Sequence, residues 1–563
     1  MYTPTFPPTE VELNKAGLLG TGVSEAAAQV ARTMKEHPEL LKLSLFALEC
    51  INLQGQQYKG PSSPHSPCLP SFPNLKRLIH EPVGRFAHVP IKSLRGVFGT
   101  PLNKVWDTVG PQIRDIIKAR KIQWSSIDPA RFFTQSGRER RRGVLVQLLS
   151  GSASYLVQPP LTLPMMSLSK FLLFCGSTKS RVFTDATHYV RRFLTPLLAV
   201  SLTTEDMEED DSQGTLTLWF HENKDDDGNP SDRVYGVSNC HVLRKNTTVN
   251  YVHKGGAAKD HVRVCGMRRF QRGLDEVTKA IAHHVVCADL YAQEIIKLQA
   301  NGDQGPESAE EMERIRCQLD DEIKDITDLQ RLHGEVTKYW SNIKLDRNIG
   351  HVEYAPAIKV DQGRTQYTAD WAAFLAEEAK IKDAFEGNVV DLGSKYSSSQ
   401  LTDMFYPLGG GPTTFKNLEE RKLKIFGCAT KEDLAVPTEF DNEGQRCLMV
   451  GKDGNTTDLT VGRYAGLESL TNADGVESME LAIYNLGIEA VEVFADKGDS
   501  GSLVWHMKDG KARIVGQLHS GRNKGGLTSF HVTYCTPGWW LLAEIKKKYK
   551  NAVFYPDTWP VRG

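Results

Sequence analysis

The sequence lacks the features of exported, membrane-spanning and nucleic-acid-binding proteins. Its first residues, Met1–Pro8, have neither a basic start nor an apolar core, so they do not resemble a signal peptide. The most apolar run, Leu161–Cys175, is interrupted by proline, serine and lysine and is too short to span a bilayer. The net charge is −1, from 68 basic and 69 acidic residues, which gives no electrostatic reason to expect binding to nucleic acid or anionic lipid. We therefore expect an intracellular, cytoplasmic protein with no nucleic-acid or membrane partner.

Paired cysteines and metal-binding motifs are also lacking. The ten cysteines are scattered singly, without a Cys-x-x-Cys pair, which favours reduced thiols over disulfides or a zinc site. The acidic segment Asn223–Gly228 begins like a calcium loop, but Val234 stands where such a loop needs a glutamate. We expect neither a metal nor an organic cofactor.

The most informative segment that is present is Gly498–Ser502, which reads Gly-Asp-Ser-Gly-Ser and follows an apolar stretch. A serine flanked by glycines on a tight turn can expose its hydroxyl and direct two backbone N–H groups at one point. A nucleophile with an oxyanion hole needs this arrangement. The segment predicts Ser500 as the nucleophile, with the N–H groups of Gly498 and Ser500 as the oxyanion hole.

A base for this serine is predicted upstream, at His241. The segment Gly214–Phe220 alternates like a strand, a polar turn follows, and the return strand from Arg233 ends at His241. Small residues, Ser238 and Cys240, precede the histidine and leave its ring room to reach across a cleft. The alternative is an ordinary packed or surface histidine.

The predicted acid is Asp370, which enters the apolar segment Trp371–Ala376. A buried carboxylate must be paired, and an imidazole N–H would satisfy it while fixing the tautomer of the base. The alternative is an N-cap aspartate that opens a helix over Trp371–Ile381.

The order His241, Asp370, Ser500 resembles that of the chymotrypsin/trypsin-like serine proteases, and the resemblance covers about residues 212–550. In overall character the chain is similar to the large trypsin-like proteins of mushroom-forming fungi. It departs from the family in lacking an Ile-Val-Gly-Gly N-terminus and in having Ser502 where a second glycine is common. The local segments that carry the resemblance are Val237–Leu243, Asp370–Leu375, Thr460–Gly466 and Ile514–Gly521.

The resemblance implies a mainly β, two-barrel domain that hydrolyses peptide bonds in protein or peptide substrates through an acyl-enzyme. It also implies that His519, Ser520 and Gly521 line the primary substrate pocket, where His519 would favour an acidic residue on the acyl side of the cleaved bond. Two other functions stay open. One is a catalytically inactive, protease-like scaffold that binds partner proteins through a helical hairpin and the N-terminal region. The other is an esterase on the same fold.

The chain divides into three parts by composition. Residues 1–73 carry one amphipathic helix, about Ser24–Asn52, and a Pro/Ser-rich linker. Residues 74–200 form a small, mostly helical region of unknown role, with one helix predicted over Leu102–Ile122. Residues 201–563 form the trypsin-like domain.

An α-helical hairpin is predicted inside that domain, at about 271–346. Apolar residues recur there at helical spacing on both sides of a Gly/Pro break at Asn301–Pro306, as in two antiparallel, coiled-coil-like helices. Their apolar seam either packs on itself or serves as a binding face for a protein partner.

Overall fold

The structure is a computed structural model that describes most of the chain from residue 92 onward. The predicted helix Ser24–Asn52 and the linker after it lie outside the described residues. The described ranges are 92–134, 142–149, 185–207, 212–225, 227–301, 305–341, 347–361, 365–393, 395–408, 421–441, 444–486, 493–522 and 531–560.

The strands of the described chain belong mainly to two large sheets. In chain order they are β1 Lys92–Arg95, β2 Ser126–Thr134, β3 Arg142–Leu149, β4 Ser201–Thr204, β5 Gly214–Thr215, β6 Leu218–Glu222, β7 Val234–Ser238, β8 Tyr251–Val252, β9 His261–Val264, β10 Asn348–Ala355, β11 Lys359–Val360, β12 Thr368–Ala369, β13 Ala372–Ala376, β14 Val389–Asp391, β15 Lys422–Cys428, β16 Met449–Lys452, β17 Thr460–Tyr464, β18 Ser469–Ala473, β19 Val476–Asn485, β20 Leu503–Lys508, β21 Lys511–Arg522, β22 Val532–Pro537 and β23 Ala552–Val553.

The helices of the described chain range from single turns to a pair of more than thirty residues each. They are α1 Leu102–Ala119, α2 Thr187–Arg191, α3 Cys240–Leu243, α4 Met267–Asn301, α5 Pro306–Tyr339, α6 Glu378–Ile381, α7 Ser398–Phe405, α8 Lys431–Ala435 and α9 Gly538–Lys548, with 3₁₀ turns at Arg192–Leu194, Glu205–Met207 and Lys382–Ala384.

Six strands in the C-terminal half close into an antiparallel barrel. Around the ring the order is β16, β17, β19, β22, β21 and β20, and β20 pairs with β16 again. Closure leaves no unpaired edge in the ring, and apolar side chains such as Val450, Ile483 and Val515 fill its interior. The turn that carries Ser500 leads directly into β20.

The second sheet curls into a half-barrel of the order β23, β6, β7, β13, β10, β9, β4, β5. Its β5 and β6 are successive pieces of one stretch of chain, so the sheet bends back on itself. Trp219 and Phe374 meet edge-on in its core, and a Cβ atom on Gly236 would lie 2.3 Å from the Phe374 ring. The half-barrel and the closed barrel together agree with the predicted two-barrel architecture.

The predicted helical insertion is present between β9 and β10 as α4 and α5, within the interval expected from the sequence except that α4 starts four residues earlier. The base of the hairpin belongs to the main core, because Phe270, Val277 and Leu329 are buried in the same cluster as the half-barrel side chains. Farther along the hairpin, Val286 and Ile323 are exposed.

The described residues between 92 and 149 include three strands beside the expected helix. Helix α1 forms close to its predicted bounds, but β1 and β2 extend the barrel sheet through β18, and β3 pairs with β2. The pairing is tertiary: Ile127 of β2 lies opposite Leu470 of β18, and the Trp106 indole donates to the Glu468 carbonyl at 2.7 Å. Strand formation of this kind depends on a distant partner and leaves little local pattern.

The cysteines that the structure describes are all free thiols, at positions 240, 265, 287, 317, 428, 447 and 535. Among the described helices, none combines the length and the apolar character that crossing a membrane would require.

Candidate active site

His241 and Asp370 are brought together by the pairing of β7 with β13, which sets Ser238 opposite Ala372. The imidazole Nδ1 lies 2.6 Å from Asp370 Oδ2, and the backbone N–H of His241 donates to Oδ1 at 3.2 Å. The side-chain amide of Asn239 donates to the Asp370 carbonyl at 2.7 Å and holds the acid segment against the histidine turn. The structure therefore brings the two predicted residues into hydrogen-bond contact.

The local structure around both residues differs from the simplest sequence interpretation. Strand β7 ends at Ser238, and His241 lies in the one-turn helix α3 that follows it. Asp370 precedes strand β13, and the next helix begins only at Glu378, so Asp370 is not the N-cap of a helix.

The electrostatics of the pair define the role of each group. Burial alone would raise the pKa of Asp370, but the charge and the hydrogen bond of His241 outweigh it and hold this pKa below its usual value. Since the ionised carboxylate only accepts, Nδ1 is the nitrogen that donates to it, and in the neutral imidazole Nε2 is then an acceptor. The imidazole is about one-third exposed to solvent.

The Ser500 turn has a shape that only glycine permits at two positions. Gly498 has φ +102° and Gly501 has φ +89°. A Cβ atom would lie 2.4 Å from Thr456 Oγ1 at Gly498 and 2.2 Å from the Thr215 carbonyl oxygen at Gly501. The glycines predicted from the sequence are thus required by backbone conformation and by close packing.

Backbone N–H groups of the turn alternate between bonded and available. The Asp499 N–H donates to the Asp496 carbonyl at 3.0 Å, and the Gly501 N–H donates to the Leu518 carbonyl at 2.7 Å. Within the part of the chain that the structure describes, the N–H groups of Gly498 and Ser500 donate to no protein acceptor. These two are the groups that the sequence assigned to the oxyanion hole.

The serine turn is joined directly to the strand behind the histidine. Thr215 donates its N–H to the Ser500 carbonyl at 2.7 Å, and the Ser238 hydroxyl donates to the Thr215 carbonyl at 2.7 Å. A Cβ atom on Gly214 would lie 2.8 Å from that Ser500 carbonyl oxygen and 2.3 Å from Val242, the residue after His241. The Ser500 turn and the His241 turn thus both pack against the segment Gly214–Thr215. Within the described residues the Ser500 hydroxyl makes no hydrogen bond, neither to His241 nor to another group.

A buried ion pair beneath the turn was not predicted from the sequence. The Lys452 ammonium lies 3.1 Å from Asp499 Oδ2, and neither side chain is exposed to solvent. Lys452 also donates to the Thr457 hydroxyl and, at 3.1 Å, to the Asp458 carbonyl. One sequence signal could have indicated this ion pair. Lys452 directly follows the apolar residues of β16, where a buried lysine would need an acidic partner.

The Asp499 carboxylate stays charged in this setting. Burial raises its pKa, but the Lys452 charge and the hydrogen bonds from Asp496, Thr456 and Thr457 outweigh it and lower this pKa below its usual value. The ionised side chain accepts donors on both oxygens and so determines the path of the turn that precedes Ser500.

The predicted substrate residues lie on β21, and two of them are open to solvent. Ser520 and Gly521 are exposed, whereas His519 is about one-tenth exposed, with its Nε2 3.1 Å from Oε2 of the buried Glu480. Burial lowers the pKa of His519, but the Glu480 carboxylate outweighs it and raises this pKa above its usual value; Asp370 acts in the same direction. The imidazole is thus already paired with a carboxylate inside the protein.

No family model and no curated protein matches the chain. Among solved structures, a glutamic-acid-specific serine protease described as using a histidine triad in substrate binding is 10% identical, with 64% of this chain and 100% of that chain covered at a TM-score of 0.26. Nocardiopsis protease gives 10% identity, coverage of 64% and 98%, and a TM-score of 0.26. Cellulomonas bogoriensis chymotrypsin is 15% identical, with 37% of this chain and 76% of that chain covered at a TM-score of 0.20.

These neighbours are chymotrypsin/trypsin-like serine proteases, but at such TM-scores the likeness supports no assignment by itself. The assignments below rest on contacts within this chain. The resemblance to fungal trypsin-like proteins stays a prediction.

The buried ion pair generates a stability prediction. Replacing Lys452 by Met leaves the Asp499 charge buried without its partner, which should lower the free energy of unfolding by about 3–5 kcal/mol near neutral pH. The pKa of Asp499 is lowered by folding, so its contribution is present above the unfolded-state value of about 3.9 and is lost as the pH falls through the folded value. The difference between wild type and variant should therefore shrink below about pH 4.

Urea unfolding at several pH values measures this effect. The control is Lys497→Met, which removes the same charge from an exposed side chain two residues before Asp499 and should change stability by less than about 0.5 kcal/mol. Equal losses in the two variants would contradict the importance of the buried pair.

Proposed function

We propose that this chain is a serine endopeptidase that cleaves peptide bonds through an acyl-enzyme formed on Ser500. The observation that carries the proposal is the turn at Gly498–Gly501, where two N–H groups are available and the serine carbonyl is bonded to Thr215, which lies against the His241 turn. The neighbouring imidazole is held in the tautomer of a general base by the buried Asp370 carboxylate.

The chemical steps follow from these positions. Ser500 Oγ attacks the carbonyl carbon of the substrate, and its proton passes to Nε2 of His241. The new oxyanion accepts from the N–H groups of Gly498 and Ser500. The imidazolium, stabilised by Asp370, then gives its proton to the leaving amine. His241 Nε2 then takes a proton from a water molecule, whose oxygen attacks the acyl carbon. The bond between that carbon and Ser500 Oγ breaks as the imidazolium returns the proton to Oγ, which releases the acid product and restores the enzyme.

A peptide is favoured over a simple ester by the open edge of β21. Strand β20 pairs with β21 only as far as Gln517, while Ser520 and Gly521 pair with β22 on the other side. The described residues place no strand against the remaining edge at Ser520 and Gly521, which an extended peptide could join by backbone hydrogen bonds. We assign substrate contacts to this edge.

Substitution of the triad tests the proposed function. Ser500→Ala and His241→Ala should each lower kcat for peptide hydrolysis by about 10⁴-fold or more, and the double variant should be little worse, because the two residues act as a unit. Asp370→Asn should also cost about 10⁴-fold, since it favours the wrong tautomer of His241.

Full-length variants assayed on a mixed peptide library provide the measurement. The control is Ser399→Ala, which removes an exposed hydroxyl from α7 and should leave kcat unchanged. Undiminished cleavage by Ser500→Ala would refute the assignment, and an inactive wild type would favour the scaffold function.

The position of Glu480 generates a prediction about specificity. We propose that His519 favours an acidic residue on the acyl side of the scissile bond and that Glu480 weakens this preference by competing for the same imidazole. Glu480→Gln should therefore raise the ratio of kcat/KM for a Glu over an Ala substrate, by roughly tenfold if one charge-assisted hydrogen bond is gained. His519→Ala should abolish the preference.

Paired peptide substrates that differ only at that residue measure the ratio. Glu477→Gln, three residues earlier on β19, is the matched control and should leave the ratio unchanged. An unaltered ratio in His519→Ala would reject the acidic preference and leave the triad assignment intact.

A further inference from the structure

The loop 453–458, between β16 and β17, supports the Ser500 turn from below. The N–H groups of Thr456 and Thr457 donate to Asp499 Oδ1 at 2.7 and 3.2 Å, and the Thr457 hydroxyl donates to Oδ2 at 2.7 Å. The Thr456 hydroxyl donates to the carbonyl of Lys497, also at 2.7 Å. The path of the turn before Ser500 therefore depends on where this loop lies.

Arg272, on the inserted helix α4, holds the loop from one side. Its Nη1 donates to the carbonyls of Asn455 and Thr456 at 2.8 and 3.3 Å, and its Nη2 donates to Asp458 Oδ1 at 3.0 Å. Its Nε donates to Glu276 Oε1 at 2.8 Å, one turn along the same helix, which fixes the orientation of the guanidinium plane. The Arg272 guanidinium thus connects the helical insertion to three residues of the loop, Asn455, Thr456 and Asp458.

Arg192, in the 3₁₀ turn after α2, holds the same loop from another side. Its Nη2 donates to Asp453 Oδ1 and to Asp458 Oδ1, at 2.9 Å each. Asp458 is therefore shared by the two arginines. Both ends of the loop are anchored to elements outside the closed barrel.

We propose that Arg272 is a positioning residue for the catalytic turn, acting through loop 453–458 and Asp499 on the oxyanion hole at Gly498 and Ser500. The inference rests on the proposed function and gives the helical insertion a part in it. Its base would hold the loop under the nucleophile rather than only cover the half-barrel. Loss of Arg272 would displace the N–H groups that bind the oxyanion while leaving the β21 edge unchanged. The effect should therefore fall on kcat and not on KM.

The test uses the full chain with Arg272→Gln, Arg272→Lys and the control Lys279→Gln, an exposed lysine two turns along α4. Each variant is measured for kcat, KM, thermal midpoint and rate of labelling by a fluorophosphonate probe, which reacts at the serine without filling the peptide edge. Arg272→Gln should lower kcat and the labelling rate by about 10- to 100-fold, with KM within about twofold of wild type. Lysine restores the charge but not the fork of donors, so Arg272→Lys should fall between wild type and Arg272→Gln. Lys279→Gln should match wild type.

The possible results distinguish failure of the positioning role of Arg272 from failure of the proposed function. Wild-type rates of labelling and turnover in Arg272→Gln, with wild type itself reactive, would reject the positioning role and leave the proposed function standing. A rise in KM at constant kcat, or a loss explained by the unfolded fraction, would reject it as well. Failure of the probe to label wild type would reject the proposed function, and the positioning role with it.

A separate cluster lies farther along the hairpin, where His284 of α4 meets two carboxylates of α5. Its Nδ1 is 2.5 Å from Glu322 Oε2 and 3.7 Å from Asp325 Oδ2. One candidate ligand atom from each residue lies within 4.8 Å of the other two, and Glu322 is buried. The spacing of three places both carboxylates on one face of α5, towards the partner helix.

From this geometry we infer a binding site for a divalent first-row transition ion, with zinc as the reference metal. Two carboxylates and an imidazole that converge from facing helices offer a divalent ion three ligand atoms at one place in the seam. A donor set that includes imidazole suits zinc and its first-row neighbours better than calcium or magnesium, which prefer oxygen ligands alone. The ion would join the two helices away from the catalytic turn.

Calorimetric titration of the chelator-treated full chain with zinc chloride tests this site. Wild type should bind about one ion and show a higher thermal midpoint when loaded. His284→Ala and Glu322→Gln should each lose most of this affinity, and the glutamine variant preserves side-chain volume. His333→Ala, on α5 about three turns from Glu322, should bind as wild type does. No binding by wild type, or equal binding by all four proteins, would overturn the inference and leave the cluster as an ion pair between the helices.

Discussion

The buried carboxylate of Asp499 is the constraint on which the candidate site depends. A charge in this position is tolerated only because Lys452 lies against it and because backbone and hydroxyl donors surround both oxygens. Because the Asp499 side chain must point at these donors, its position fixes the path of the backbone at Gly498–Gly501. Within the described part of the chain, that course leaves the N–H groups of Gly498 and Ser500 without an acceptor, while those of Asp499 and Gly501 are bonded.

The interface between the two β systems is the second requirement, because neither contains the whole site. The proposed nucleophile and oxyanion hole come from the closed barrel, and the proposed base and acid come from the half-barrel. The Thr215 N–H donates to the Ser500 carbonyl and the Ser238 hydroxyl donates to the Thr215 carbonyl, so the two sheets are joined through the backbone of Thr215. Contacts of this kind are suited to hold Ser500 and His241 at a fixed relative position when a substrate binds.

The sequence could predict the features that local chemistry determines. Glycines around Ser500, a histidine behind small residues and an acid at the start of an apolar strand each carry a local signature, and the helical insertion shows in the period of its apolar residues. The structure brings His241 and Asp370 together as the sequence indicated.

Features that depend on distant partners could not be predicted in this way. Lys452, Arg272 and Glu480 look like ordinary charged residues, and only folding places them beside Asp499, loop 453–458 and His519. Strand β2 follows the same rule, since β18, which joins it to the barrel sheet, lies much farther along the chain. Tertiary contact, rather than local propensity, decides these elements.

The most direct measurement of the central claim is to treat the full-length wild-type protein with a fluorophosphonate and locate the adduct by intact mass and peptide mapping. The account predicts a single phosphonate on Ser500, and none when the protein is unfolded before treatment. No adduct on the folded protein, or an adduct on a different serine, would contradict the claim that the Ser500 turn is a working catalytic centre.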